Sequence, residues 1–99
     1  MIKHIVMFKL KPKDIKEKNA RINELKNMLD SLKQSIQEIK LFETGINIST
    51  RPTAYDLVLI SEFETKDALQ RYIEHPDHQN VVDYLNKIKE STVVVDYEI

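Results

Sequence analysis

Seven consecutive residues, Tyr72-Ile73-Glu74-His75-Pro76-Asp77-His78, gather a phenol and two imidazoles around one proline. Imidazole titrates near neutrality without help from its surroundings, so His78 is the natural proton acceptor of the group. Tyr72 lies six residues earlier, across a proline at which a helix stops and restarts. The chain can therefore fold back and bring both side chains to one cavity. A phenol in that position orients the imidazole or donates a hydrogen bond to an enolate oxygen. His4, near the amino terminus, is the remaining histidine. Together the three could move a proton on a small carbonyl or phenolic compound inside an apolar chamber. Plainer readings stand beside this one: Tyr72 as core with its hydroxyl bonded to backbone or water, His4 as a satisfied core histidine, and His75 as a helix-end residue holding a turn.

Other chemistries find less support. The chain has no cysteine, which excludes thiolate nucleophiles, disulfides, cysteine-ligated zinc and iron–sulfur centres. A metal would need His75 and His78 with Glu74 or Asp77, and His4 would have to join them; no metal is expected. A single glycine leaves no room for a glycine-rich phosphate loop, and no motif supports a serine or threonine nucleophile. Any activity is expected to need no cofactor. Residues 1–40 hold ten Lys or Arg against five Asp or Glu, and residues 41–99 hold five against eleven. Lys9, Lys11, Lys13, Lys16 and Lys18 read as a solvated loop and helix face, because no aromatic residues interleave them as a nucleic-acid platform requires.

The elements that must position the trio follow from periodicity. Ile2 to Leu10 reads as a strand with Ile2, His4, Val6, Phe8 and Leu10 on one face and Ile5 and Met7 on the other. Lys11-Pro12-Lys13 ends it. Asp14 caps a helix over about 14–37, with Glu17 in the capping-box position and Ile22, Leu25, Leu29, Leu32 and Ile36 as its apolar stripe, broadened by Met28. Phe42, Thr44, Ile46 and Ile48 alternate as a second strand, in which Gly45 marks a bulge or a close approach. Tyr55 to Phe63 is a third, with Leu57, Leu59 and Phe63 facing one way and Val58 and Ile60 the other. Thr65 caps a short helix to about Glu74, and a further helical segment carries Val81, Val82, Leu85 and Ile88. Thr92 to Ile99 closes the chain as a strand, with Val93, Val95, Tyr97 and Ile99 alternating against Val94.

The order β-α-β-β-α-β is the ferredoxin-like α+β pattern: one four-stranded antiparallel sheet with helices on one face. Ninety-nine residues make a single domain, 1–99, and a 41% hydrophobic, 31% charged composition fits a folded chain. Ile5, Met7, Val58 and Ile60 make the second sheet face apolar as well, and an identical sheet is the simplest cover, predicting a C2 homodimer. No apolar run approaches membrane-spanning length and no signal peptide is visible, so neither a membrane nor a nucleic acid is an expected partner and the cytoplasm is the expected location.

His4-Ile5-Val6-Met7-Phe8-Lys9, Tyr55-Asp56-Leu57-Val58, Phe63, Tyr72-Ile73-x-His75-Pro76-x-His78 and Val94-Val95-Asp96-Tyr97 together resemble the Dabb family, the stress-responsive dimeric α/β-barrel domain. The resemblance spans essentially the whole chain. It implies a homodimer with two facing sheets and helices outside, and a pocket in each protomer between sheet and helices. Val6, Phe8, Leu57, Leu59 and Val94 are the lining expected here. The family includes a plant polyketide cyclase that works without metal or cofactor, and the residues matching its acid–base pair are Tyr72 and His78, with His4 matching another pocket residue. It also includes a boiling-stable stress protein that is chiefly structural. Cofactor-free acid–base chemistry and a non-catalytic stress or binding module are thus both implied, and cofactor-free monooxygenation follows from fold analogy alone.

Overall fold

In the first strand, β1 (Ile2–Leu10), a period of two sends Ile2, His4, Phe8 and Leu10 into the interior while Met7 faces out. A computed structural model describes residues 1–11 and 14–99. The expected stop at Lys11-Pro12-Lys13 falls partly outside those residues, as does Lys13 of the lysine series. The chain continues through α1 (Ile15–Ser35), β2 (Leu41–Ile46), β3 (Leu57–Phe63), α2 (Lys66–Glu74), α3 (Pro76–Ile88) and β4 (Lys89–Glu98). The strands form one antiparallel sheet in the order β2-β3-β1-β4, the ferredoxin-like arrangement.

Helix boundaries have local causes. Asp14 Oδ1 accepts the Glu17 N–H at 2.9 Å, satisfying one of the amides that α1 leaves unpaired. Ile36 is already extended at φ −118° and ψ 108°, so α1 ends short of residue 37. Ile36 is nevertheless buried, and with Ile22, Leu25, Leu29 and Leu32 it completes the apolar stripe. Thr65 Oγ1 caps α2 through the Ala68 N–H at 3.0 Å. Pro76 opens α3, where its missing N–H costs nothing.

Three strand expectations shift. β2 ends at Ile46, and Ile48 lies beyond it, 98% exposed. β3 begins at Leu57 rather than Tyr55, and β4 begins at Lys89, directly after α3. Gly45 sits in unbroken register opposite Val58 with no left-handed backbone, so it forms no bulge. A side chain there would meet Val58 Cγ1 at 3.2 Å, which makes it a place of close approach. The register shift lies instead between Lys9 and Leu10 against β4.

At that shift the Leu10 N–H donates to Asp56 Oδ2 at 2.8 Å, and Lys18 Nζ pairs with Asp56 Oδ1 at 3.0 Å. Asp56 is buried, so its bond to the Leu10 amide is shielded from water. Replacing it by alanine strands a backbone amide and lowers the unfolding free energy by about 1–3 kcal/mol. Urea denaturation of Asp56→Ala beside Asp56→Asn is the check; Asn keeps an acceptor and loses less.

The helices cover one sheet face only. On the other, Val95–Ile5–Ile60 and Val93–Met7–Val58 form neighbouring cross-strand rows. Lys3 pairs with Glu62 at one end of this patch (3.6 Å), and Lys9 with Glu90 at the other (3.2 Å).

Candidate active site

Strand register brings Asp96, His4, Ser61 and Phe42 into one cross-strand row on the helix-covered face. His4 is buried, and its Nδ1 is hydrogen-bonded to Asp96 Oδ1. The wholly buried Ser61 donates its hydroxyl to the His4 carbonyl at 3.0 Å. Above this row α2 lowers Tyr72 into the interior, 0% exposed. Its ring lies 4.9 Å from Phe63, 6.3 Å from Phe42 and 6.1 Å from His4, centroid to centroid. His78, in the first turn of α3, meets it from the other side at 4.6 Å with the planes at 61°.

Two polar atoms here are buried without a hydrogen-bond partner among the described residues: the Tyr72 hydroxyl and His78 Nδ1. Burial pushes the Tyr72 hydroxyl far above its usual titration range, so it remains a neutral phenol throughout the physiological range. His78 shifts down, chiefly through burial; charge on His4 and His75 adds to the shift, and the Ile73 carbonyl opposes it. That carbonyl already accepts from Gln79 Nε2 at 2.8 Å. His78 is therefore an uncharged imidazole at neutral pH, the form that accepts a proton.

The downward shift has a consequence for stability. The unfolded chain, with histidine near its ordinary value of about 6.5, binds this proton more readily than the folded protein does. The contribution is full above that value and is lost as pH falls from there toward the lowered folded value. Urea midpoints between pH 5 and 7.5 decline more steeply in wild type than in His78→Gln; parallel curves would contradict the shift.

The three aromatic groups border a cavity of about 310 Å³. Val6, Phe8, Leu29, Leu59, Ile73, Val81, Val82, Leu85 and Val94 supply its apolar wall, and His4, Tyr72, His78, Thr92 and Asp96 its polar points. The expected lining residues Val6, Phe8, Leu59 and Val94 lie there. Leu57 does not: it sits at the start of β3 opposite Phe8 and Ile46 and is consumed in core packing. His75 is also elsewhere, acting as the hinge of two helices, with its Nδ1 accepting the Asp77 N–H at 3.0 Å. Asp96 and Thr92 went unrecognised as lining. The available signal was their period-two spacing from Val94, which places all three on one face of β4. Among the described residues no group of three or more His, Cys, Asp or Glu is arranged to hold a metal ion. No described helix is long and apolar enough to cross a membrane.

A ferredoxin-like sheet with helices on one face and an apolar chamber between the two layers defines the class of protein. The chain belongs to the Dabb family, the stress responsive A/B barrel domain, whose family model matches residues 2–99. It is 36% identical over 98 residues to an uncharacterized protein of Streptomyces coelicolor, covering 99% of each chain. Its fold superposes with a TM-score of 0.91 on a dimeric protein of unknown function from Bacteroides fragilis, at 34% identity and with 99% and 95% of the two chains covered. A hydroxynitrile lyase from Passiflora edulis shares the fold with a TM-score of 0.82 at 18% identity, over 99% of this chain and 92% of that one.

Proposed function

We propose that the chamber performs cofactor-free proton transfer on a small, uncharged carbonyl or aromatic compound. The observation that carries this reading is the pair of buried, unpartnered polar atoms, the Tyr72 hydroxyl and His78 Nδ1, beside a largely apolar cavity. Buried polar groups are nearly always hydrogen-bonded, so two adjacent exceptions mark a place where a ligand supplies the partners. No lysine or arginine lines the chamber and a carboxylate does, which favours a neutral ligand over an anionic one. The volume equals the liquid share of roughly ten waters, enough for a single-ring compound. In the proposed step His78 takes a proton from the carbon beside a carbonyl. The C–H electron pair moves into an enolate, whose oxygen accepts a hydrogen bond from the Tyr72 hydroxyl.

The test is hydrogen–deuterium exchange at the methyl group of acetophenone in D2O, followed by proton NMR. Catalysed exchange supports the reading. Saturable acetophenone binding without exchange would replace it by a small-ligand binding module, and neither binding nor exchange would leave a structural stress-response role.

We further propose that the protein is a homodimer through its uncovered sheet face. The apolar rows centred on Ile5 and Met7, framed by ion pairs, have the dry centre and charged rim of an interface. The Bacteroides fragilis relative described as dimeric adds support.

A further inference from the structure

The acid–base reading above uses Tyr72 and His78 and leaves the third polar point, His4 with Asp96, without a role. His4 faces the same chamber from the opposite wall, on the sheet rather than on a helix. The Tyr72 ring neighbours both imidazoles, 6.1 Å from His4 and 4.6 Å from His78. Of the two nitrogens of His4, Nδ1 is committed to Asp96 Oδ1, and no described residue bonds Nε2.

We propose that Asp96 is a positioning residue that holds His4 with its proton on Nδ1 and Nε2 bare toward the chamber, giving the cavity a second proton acceptor opposite His78. An ionised carboxylate only accepts hydrogen bonds, so the bond to Asp96 requires the proton to lie on Nδ1. The other nitrogen then carries a lone pair. When Nε2 takes a proton from a substrate carbon, the C–H electrons pass to the carbonyl oxygen, and the resulting imidazolium sits against the Asp96 carboxylate. Neither wall needs a group from outside the chain. A positive charge on His4 repels one on His78, in keeping with the downward pull that His4 exerts on it. The inference rests on the acid–base reading for its purpose, but the position of the His4 proton can be measured without any substrate.

The experiment is a two-bond proton–nitrogen correlation spectrum of the ¹⁵N-labelled protein at pH 8, with His4→Gln identifying the His4 signals. Wild type is expected to show the Nδ1–H tautomer, and Asp96→Ala to move His4 toward the Nε2–H form. Asp96 is partly exposed, so its removal leaves the fold in place. A wild-type His4 protonated on Nε2, or a tautomer unchanged in Asp96→Ala, overturns the proposal. A second arm uses the acetophenone exchange assay. The exchange that survives in His78→Ala is expected to fall by about tenfold or more when Asp96→Ala is added; no further fall rules out His4 as the second acceptor. Absence of exchange in wild type refutes the acid–base reading, and the tautomer still decides the positioning.

Discussion

His78→Ala lowers the acetophenone exchange rate by about 10²–10⁴-fold, the usual contribution of a positioned general base, while lowering the melting temperature less than His75→Ala does. The second half of that result separates a catalytic His78 from a structural one. Were His78 a tie between helix ends, its removal would cost stability, as removal of His75 from its bond to the Asp77 N–H should. His78 Nδ1 has no partner to lose. Tyr72→Phe sharpens the distinction. It removes a hydroxyl that is wholly buried and unpaired, so stability rises by about 1 kcal/mol or more while exchange falls. A residue kept for packing would show the reverse order. Gain of stability with loss of activity is the mark of a site held at the expense of the fold. A Tyr72→Phe variant that is less stable, or a His78→Ala variant that exchanges at the wild-type rate, defeats the assignment.

The fold was legible because its periods are clean. Ile22, Leu25, Leu29, Leu32 and Ile36 can share one face only on a helix, and the alternation in β1 and β3 leaves no other register. Element ends were less legible, since they depend on contacts between segments distant in sequence. Tyr55 and Asp56 read as strand by composition, yet β3 begins only at Leu57, and the Asp56 side chain receives the Leu10 N–H at a register shift that no local pattern encodes. Gly45 signals a bulge or a close approach in the sequence alike, and only the register decides for the close approach, to Val58. Tyr72, His78 and His4 stood out as residue types, and the fold places all three around one chamber. The role of Asp96 was hidden, because a carboxylate 92 residues from its histidine becomes a neighbour only when β4 pairs with β1. Leu57 failed as a lining residue for a similar reason: sharing a face with Leu59 does not fix where along the strand the cavity ends.

Val95→Glu converts the protein from two chains to one at micromolar concentration, as read by analytical ultracentrifugation. Val95 is 61% exposed in the single chain and sits at the edge of the Val95–Ile5–Ile60 row, beside Met7 at 44%. Stable interfaces bury about 800 Å² per partner, and in a face-to-face pair of sheets these rows are the dry part. A two-fold axis makes the contact self-complementary, so one substitution introduces two carboxylates. Even at about 2 kcal/mol each for an unpaired polar group, the pair weakens association by roughly a thousandfold. Ile15→Glu is the control: Ile15 is equally apolar and 78% exposed, but it lies at the start of α1, away from the uncovered sheet face, and should leave assembly unchanged. The melting temperature of wild type should rise with protein concentration, and that of Val95→Glu should not. β1 would tie the proposed assembly to the proposed site, since His4 lines the chamber from one side of it while Ile5 and Met7 lie on the uncovered face at the other. A Val95→Glu protein that still sediments as two chains would show that the subunits meet elsewhere, and the apolar rows would then need a different cover.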